Sequence, residues 1–330
     1  MRKMKRILVS VLCIGMMAAT LAACGGTKNA SGGDQTEGKK SYKIGLSQEG
    51  LDHSYMITQK DQIIAAAKAY ADADVEVICT DGQNQTAQQV KGIEDMLVQG
   101  IDLLMVQAAE GEGLKSALAS AEEKGVPYMF VGKPVNGTKA TTMVNNDNYE
   151  IGKNAGEWTV NYLKEKNGSE KGNVVIVAGI PGDQSAEDRV NGFLEITDQF
   201  EGIKIVANIP ANYRRQEAFK VTQDILQANA AGTIDCLYGA NGETSLGAAQ
   251  AITDAGRKGE FPVLSVDGDV ASIEAIKNDE ITAAWTYEPC GTSGFEYAMK
   301  ILNGETVEPA VIIPSRIIDK NNVNEAEPAF

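Results

Sequence analysis

The sequence predicts an α/β protein built of two similar lobes, each a doubly wound parallel sheet covered by helices. Short β-branched runs alternate with amphipathic helical stretches along most of the chain, and a weak internal repeat divides it into two halves. Alternation of this kind is typical of parallel sheets with helices on their faces. A chain of 330 residues makes two domains the natural division.

The N-terminal segment has the order of regions of an export signal. Four basic residues precede an apolar run from Ile7 to Leu21, which is too short for a comfortable membrane span. The small residues after that run lead to Cys24, a pattern that resembles the lipobox of bacterial lipoproteins. We therefore predict a signal peptide over residues 1–23, lipidation of Cys24 and a lipid-anchored flexible tether over residues 24–41. This makes the protein extracytoplasmic and anchored to the cell membrane.

Charge and cysteine content exclude several classes of protein. With 45 acidic and 30 basic residues the net charge is −15, which argues against a nucleic-acid partner. The three cysteines after Cys24, namely Cys79, Cys236 and Cys290, form no CxxC pair, and His53 is the only histidine. We expect neither a structural zinc site nor a disulfide scaffold.

Eight β-branched runs predict strands, and the stretches between them predict helices. The helix predicted from Thr86 has Val90, Ile93 and Leu97 on one face, and Gly100 can end it. The predicted strands are Ile44 to Gln48, Val75 to Thr80, Ile101 to Gln107, Pro127 to Gly132, Asn173 to Gly179, Ile203 to Ile209, Ile234 to Ala240 and Phe261 to Asp267.

The internal repeat consists of two similar βαβ units. The strand beginning at Ile101 leads through an Ala-rich helix to a strand beginning at Pro127, and the strand at Ile234 leads in the same way to Phe261. In open α/β sheets a ligand lies beyond the carboxyl ends of the strands, so two facing lobes offer one cleft between them.

Six short motifs carry a family likeness. They are Asp81-Gly82-Gln83-Asn84, Gly132-Lys133-Pro134, Asn146-Asp147-Asn148, Pro181-Gly182 through Ala186-Glu187-Asp188-Arg189, Ala240-Asn241-Gly242-Glu243 and Val266-Asp267-Gly268. In this order and spacing the chain resembles the type I periplasmic binding proteins of the ribose and glucose/galactose group, from Tyr42 to about Asn321.

The resemblance implies two lobes joined by three crossovers. These should fall near Asn146-Asp147, near Thr286 to Pro289 and near Pro309-Ala310. The N-terminal lobe is then residues 42–147 plus 287–309, and the C-terminal lobe is residues 148–286 plus 310–330.

The resemblance also implies a set of ligand contacts. They are His53, Tyr55, Met56, Gly132 and Lys133 from the first lobe, Asp183, Ser185, Arg189, Tyr213, Asn241 and Asp267 from the second, and Tyr287 at a crossover. The residue chemistry suits a sugar, since an aromatic ring packs on the apolar C–H face and fixed polar groups select among hydroxyls. If these side chains serve the ligand, Arg189→Ala and Asn241→Ala should each leave the unliganded melting point nearly unchanged.

Departures from the family pattern leave the ligand open. Ribose binders usually carry Asp-Arg, and the glucose/galactose type Asn-Lys, where this chain has Gly132-Lys133. Tyr287 replaces a carboxamide, and Lys133 with Glu49 could serve a charged sugar, so a pentose, hexose, deoxysugar or polyol all remain possible. No cofactor is expected, and no metal, because residues 164–172 lack the alternating carboxylates of a calcium loop.

The prediction is a monomeric solute-binding protein of an ABC importer that delivers its ligand to a membrane permease. An enzyme is the main rival class, but no Ser-His-Asp or Cys-His arrangement and no carboxylate pair stands out. A transcriptional regulator of the same fold family would carry an N-terminal helix-turn-helix where this chain has an export signal. A receptor that presents its ligand to a sensor kinase or chemoreceptor is compatible with the same residues.

Overall fold

The structure is a computed structural model that describes residues 39–109, 111–135 and 137–330. The predicted signal peptide, Cys24 and most of the predicted tether lie outside the described residues. Lys40 and Ser41, assigned to the tether from the sequence, instead begin the first strand, because they pair with Ala73 and Asp74 of the second. Within the described ranges, no helix combines the length and apolarity needed to cross a membrane.

The described helices and strands alternate along the chain. In order they are β1 (Lys40–Gln48), α1 (Ser54–Ala69), β2 (Ala73–Asp81), α2 (Thr86–Val98), β3 (Leu103–Val106), α3 (Gly111–Glu123), β4 (Tyr128–Val131), β5 (Met143–Asn146), α4 (Asn148–Asn167), β6 (Lys171–Ala178), α5 (Gln184–Thr197), β7 (Gly202–Pro210), α6 (Arg215–Ala228), β8 (Cys236–Gly239), α7 (Gly242–Asp254), β9 (Val263–Asp267), α8 (Val270–Lys277), β10 (Ala283–Thr286), α9 (Gly291–Leu302), β11 (Val311–Ile313) and β12 (Ile317–Asp319).

These strands form two six-stranded sheets. The first has the order β11-β5-β4-β3-β1-β2 and the second β12-β10-β9-β8-β6-β7. The strand pairs are parallel except for β12, which runs antiparallel to β10. The predicted fold class is therefore confirmed.

Each sheet is buried on both faces. In β3, Leu104 and Val106 pack under α2 and α3, whereas Leu103 and Met105 pack under α1 and α9. The second sheet is covered in the same way by α6, α7 and α8 on one face and by α4 and α5 on the other. Strands buried on both faces are continuously apolar, which is why β3 and β4 could be found from sequence.

The eight predicted strands and the helix from Thr86 are all present. Ile93 and Leu97 of that helix are buried as predicted, and Gly100 follows it at φ +73°. Four strands, β5, β10, β11 and β12, were not predicted, because none of them lies in a longer apolar run of the kind that contains β3, β4 and β8.

The third crossover lies later than predicted. β11 follows Pro309-Ala310 but pairs with β5 of the first sheet, so the chain crosses over residues 314–316. Three β-branched residues extend the sheet edge before Pro314, which has no N–H to continue the pairing.

The crossovers are bonded to one another. The Asn146 side chain accepts from the Glu288 N–H and donates to the Glu288 carbonyl, both at 2.9 Å. Thr286 Oγ1 accepts from the Arg316 N–H at 2.9 Å, and the Thr286 N–H donates to the Arg316 carbonyl at 2.9 Å. The three connections therefore form one short bundle between the lobes.

Candidate functional site

A cavity of about 220 Å³ lies where the carboxyl ends of the strands of both sheets meet. Its volume is small for a ligand pocket and suits a single small solute. Among the residues predicted to contact ligand, those that line it are His53, Tyr55, Met56, Lys133, Asp183, Ser185, Arg189, Tyr213, Asn241, Asp267 and Tyr287. Ligand contact by these residues stays a prediction, but the structure brings them to one place.

Gly132 is the predicted residue that does not line the cavity. Its φ is +91°, and a Cβ there would lie 2.1 Å from Gln107 Oε1. That same oxygen accepts from the N–H of Lys133 at 3.1 Å. The structure therefore gives Gly132 a local role, which is to let the chain turn so that Lys133 and Gln107 reach the cavity.

Arg189 is the most deeply buried charge in the site, with 3% of its surface exposed. Its Nε donates to Asn148 Oδ1 at 2.8 Å and its Nη1 to the Ala240 carbonyl at 2.7 Å. Its guanidinium lies 4.4 Å from the centre of the Tyr287 ring. Removing this group would leave two buried acceptors without a donor. We therefore expect Arg189→Ala to lower the stability of the unliganded protein, contrary to the expectation from the sequence.

The Tyr287 ring connects Arg189 to the first lobe. Tyr55, at the start of α1, stacks on Tyr287 with ring centres 5.2 Å apart and planes at 27°. The Tyr55 hydroxyl donates to the Glu288 carbonyl at 3.3 Å. Tyr55 and Tyr287 thus line the side of the cavity next to the crossovers.

Asp267 ends β9 and Asn241 follows β8 in the second lobe. Asp267 has φ +91°, and its Oδ2 accepts from the Gly242 N–H at 2.9 Å. Burial raises the pKa of Asp267 to about 6, although Arg189, 3.9 Å away, partly counteracts this. Asn241 caps α7, where its Oδ1 accepts from the Thr244 N–H at 2.9 Å. This orients the Asn241 amide group, which lines the cavity.

Lys133 lies between two carboxylates that belong to different lobes. Its Nζ is 3.1 Å from Glu49 Oε2 in the first lobe and 3.0 Å from Asp183 Oδ2 in the second. Burial alone would lower the pKa of Lys133, but the two carboxylates outweigh it and the pKa is raised. Burial raises the pKa of Glu49, whereas Lys133 and the Ala186 N–H overcome burial and lower that of Asp183.

Tyr213 contacts Asp183, the second-lobe carboxylate that also pairs with Lys133. The Tyr213 hydroxyl lies 3.2 Å from Asp183 Oδ1, and Tyr213 has φ +56°. A Cβ at Gly179 would lie 2.3 Å from the Tyr213 ring, so glycine is required for the ring to lie there. His53 is 59% exposed at its side chain and lies at the rim, 3.7 Å from Asp52.

Several lining residues were not predicted as contacts. Asn84 and Glu243 stand in motifs that carried the resemblance, and Asp269 follows another, so a wider reading of those motifs could have found them. Phe330 has no family motif near it. The lining residues outside the predicted set are Glu49, Ser54, Asn84, Gln107, Ile180, Glu243, Asp269 and Phe330.

Metal and thiol chemistry find no support in the part of the chain described here. No group of three or more His, Cys, Asp or Glu side chains among residues 39–109, 111–135 and 137–330 could hold a metal ion. Cys79, Cys236 and Cys290 are free thiols, and burial raises their pKa values to about 11, 12 and 12. Cys236 and Cys290 are buried, whereas Cys79 is only partly buried.

Comparison with known proteins agrees with this architecture. Residues 44–306 match the family model described as periplasmic binding protein domain. The ribose import binding protein of Bacillus subtilis (strain 168) is 28% identical over 281 residues, covering 84% of this chain and 88% of that protein.

Two solved structures are similar as well. An ABC transporter periplasmic solute-binding protein from Actinobacillus succinogenes with bound D-allose superimposes with a TM-score of 0.77 at 27% identity, covering 86% of this chain and 100% of that one. The fructose-binding periplasmic domain of a hybrid two-component system gives a TM-score of 0.76 at 26% identity, covering 86% and 92%. With a family model that spans most of its length, the chain belongs to the periplasmic binding protein family.

Proposed function

We propose that this protein is an extracytoplasmic solute-binding lipoprotein of an ABC importer that captures one monosaccharide or polyol in the cleft between its lobes. One observation carries the proposal: a single cavity combines the aromatic rings of Tyr55, Tyr213 and Tyr287 with fixed polar groups of both lobes. An aromatic face suits the C–H face of a sugar ring, and oriented donors and acceptors suit its hydroxyls. The relatives named for ribose and D-allose support the same class of ligand.

The charges in the cleft favour a neutral ligand over an anionic one. Lys133 is already within 3.1 Å of both Glu49 and Asp183. Glu243, Asp267 and Asp269 add three further carboxylates to the lining, against one further cation, Arg189. The sequence left open a charged sugar held by Lys133, and this pairing argues against a sugar acid or sugar phosphate, because a ligand anion would have to displace a buried carboxylate.

A thermal-shift screen tests the ligand class. The panel holds D-ribose, D-allose, D-fructose and xylitol, with a sugar acid, an amino acid and a nucleoside as rivals. A ligand at about a hundred times its Kd stabilises the native state by ~2.7 kcal/mol, which is a shift of several degrees. We expect a neutral sugar or polyol to give the largest shift, and a shift given only by an amino acid or nucleoside would contradict the proposal.

We propose that the protein binds without catalysis and acts as a monomer. His53, the single histidine of the chain, is exposed, and the raised pKa values of the described cysteines disfavour a thiolate nucleophile. Ligand recovered after prolonged incubation should give an unchanged NMR spectrum, and light scattering should give the mass of one chain.

Membrane attachment rests on the segment that ends at Cys24, outside the described residues. Cys24→Ala should move the protein from the membrane fraction to the soluble fraction or leave unprocessed precursor. Cys79→Ala is the matched control, since that cysteine lies within a strand of the folded body. A Cys24→Ala variant that fractionates and migrates like the wild type would contradict lipid anchoring.

A second candidate function is that of a receptor that presents its ligand to a membrane sensor kinase. It is favoured by the likeness to the fructose-binding domain of a hybrid two-component system. Deleting the gene separates the two candidates. Loss of ligand uptake supports the importer, whereas intact uptake with loss of the transcriptional response to the ligand supports the receptor.

A further inference from the structure

The last residues of the chain return to the cleft after β12. We call residues 320–330 the C-terminal tail. Val323 and Ala329 are 3% and 5% exposed, and Val323 packs in the core between the second sheet and α6 to α8. Pro328 restricts the backbone just before Ala329. The tail is therefore anchored at two buried side chains.

The tail is also bonded to the loop that carries Asp267. The Ala329 N–H donates to the Gly268 carbonyl at 2.9 Å, and the Val270 N–H donates to the main-chain oxygen of Phe330 at 3.1 Å. Val270 is the first residue of α8, where amides have no acceptor within the helix. The two bonds lie on either side of Asp269. They hold residues 268–270, the loop that directly follows Asp267.

The Phe330 ring contacts the opposite lobe. It lines the cavity and meets the Tyr55 ring edge-on, with ring centres 5.7 Å apart and planes at 89°. Tyr55 belongs to the first lobe, whereas the main chain of Phe330 is bonded to the second. Together with Tyr287, which stacks on Tyr55, the ring completes an aromatic wall of three residues.

We propose that Phe330 contacts the bound ligand and helps to determine specificity, and that the main chain of the tail positions the loop carrying Asp267. This deepens the proposed function and rests on it. A cyclic sugar presents a fixed C–H face to such a wall, whereas a linear polyol presents none, so Phe330 favours cyclic sugars. It also links the lobes, because its main chain is bonded to the second lobe and its ring contacts Tyr55 of the first.

The positioning role is tested without ligand by hydrogen–deuterium exchange. Deletion of residues 328–330 removes the acceptor of the Val270 N–H, so exchange of the Val270 amide should become at least about tenfold faster than in the wild type. Phe330→Ala keeps that main-chain bond and should exchange there at nearly the wild-type rate. Wild-type exchange in the shortened chain would overturn the positioning role.

The contact role is tested by calorimetry with D-ribose, D-allose, D-fructose and xylitol. Phe330→Ala should weaken the affinity for the cyclic sugars by roughly three- to thirtyfold and that for xylitol less, whereas Phe330→Tyr should restore most of the loss. Phe219→Ala removes an aromatic ring of the same lobe outside the cleft and should bind like the wild type. Wild-type affinity of Phe330→Ala for a sugar that binds the wild-type protein would overturn the contact role.

The two failures are distinguishable. If none of the four compounds binds the wild type or the Phe219→Ala protein, the proposed ligand class is wrong, and with it the contact role. The exchange measurement still decides whether the tail positions the loop, because it needs no ligand.

Discussion

The two walls of the cleft hold their polar groups in different ways. In the second lobe, Arg189 is bonded to Asn148 and to the Ala240 carbonyl, and Asp267 is bonded to the Gly242 N–H. In the first lobe, Lys133 makes its side-chain contacts with the carboxylates of Glu49 and Asp183, one of which belongs to the other lobe. The second-lobe wall is therefore fixed by its own lobe, whereas the first-lobe wall is completed only when the lobes meet.

Because of this difference, we expect the two walls to contribute to ligand binding in different ways. Polar groups held by main-chain bonds are preorganised, so they can bind ligand with little cost in ordering. An ion pair between lobes contributes chiefly when the cleft is shut, and thus biases the equilibrium between open and closed forms. We expect the second-lobe wall to supply most of the affinity and the first-lobe wall to adjust closure and ligand choice.

The largest expected effect is that of Arg189→Ala. It leaves the Asn148 and Ala240 oxygens without their donor and Asp267 without its nearest cation, and breaking such a buried pair costs about 3–5 kcal/mol. The unliganded melting temperature should fall by roughly 5–10 °C, and ligand affinity by about a hundredfold or more. Scanning calorimetry and titration measure the two effects.

Arg214→Ala is the matched control for that change. Arg214 lies in the same lobe, is 74% exposed and pairs only loosely with Glu217 at 3.8 Å. It should melt and bind like the wild type. An Arg189→Ala protein with a wild-type melting temperature would contradict the preorganised second-lobe wall.

A smaller effect is expected for Lys133→Met. It leaves Glu49 and Asp183 facing each other without a cation, so the unliganded lobes should separate and affinity should fall by about tenfold. Solution scattering should show a larger radius of gyration without ligand. Lys139→Met, at a lysine that is 87% exposed, is the control, and an unchanged radius for Lys133→Met would show that the lobes do not depend on this ion pair.

The smallest effect is the pH dependence that Asp267 imposes. Because burial raises its folded pKa to about 6, the folded protein takes up a proton before the unfolded chain does. Above about pH 6 the buried, ionised carboxylate of Asp267 lowers the free energy of unfolding. As the pH falls from about 6 toward the pKa of Asp267 in the unfolded chain, the carboxyl is protonated and the free energy of unfolding rises. Ligand affinity should move the other way and fall severalfold between pH 7 and 5, since the protonated carboxyl is a poorer acceptor.

Asp267→Asn isolates this titration from that of Glu49, whose pKa is also raised. The variant should lose the part of the pH dependence of unliganded stability that Asp267 contributes between its unfolded pKa and about 6, while the part due to Glu49 remains. Thermal melts across that range measure it. A slope in Asp267→Asn equal to that of the wild type would assign the titration to another group.

The two walls also differ in how far they could be predicted from sequence. The second-lobe residues Arg189, Asn241 and Asp267 could be predicted to lie at the site because each stands in a short motif that carries the family resemblance. In the first lobe, Gly132-Lys133 departs from the family pattern, and the pairing of Lys133 with Asp183 depends on two chain segments far apart in sequence. The sequence predicted the sheets and the cleft because continuous apolar strands are a local signal.

Other features depend on tertiary packing that leaves no local pattern. Phe330 lies in a polar tail without periodicity, and only the folded chain shows that Ala329 and Val323 anchor it. The structural role of Arg189 was missed for a similar reason, since the acceptor on Ala240 is a main-chain oxygen that no sequence motif displays.

Titration calorimetry of the wild-type and Asn241→Ala proteins with the best ligand of the panel tests whether the second-lobe wall holds one sugar or polyol in the cleft. Asn241 lines the cavity from the second lobe, and Asn303→Ala, at a residue that follows α9 outside the cavity lining, is the control. We predict that one sugar or polyol molecule binds per chain, that Asn241→Ala weakens binding by about tenfold or more, and that the control leaves it unchanged. Wild-type affinity in Asn241→Ala, or no binding of any sugar or polyol, would contradict the account.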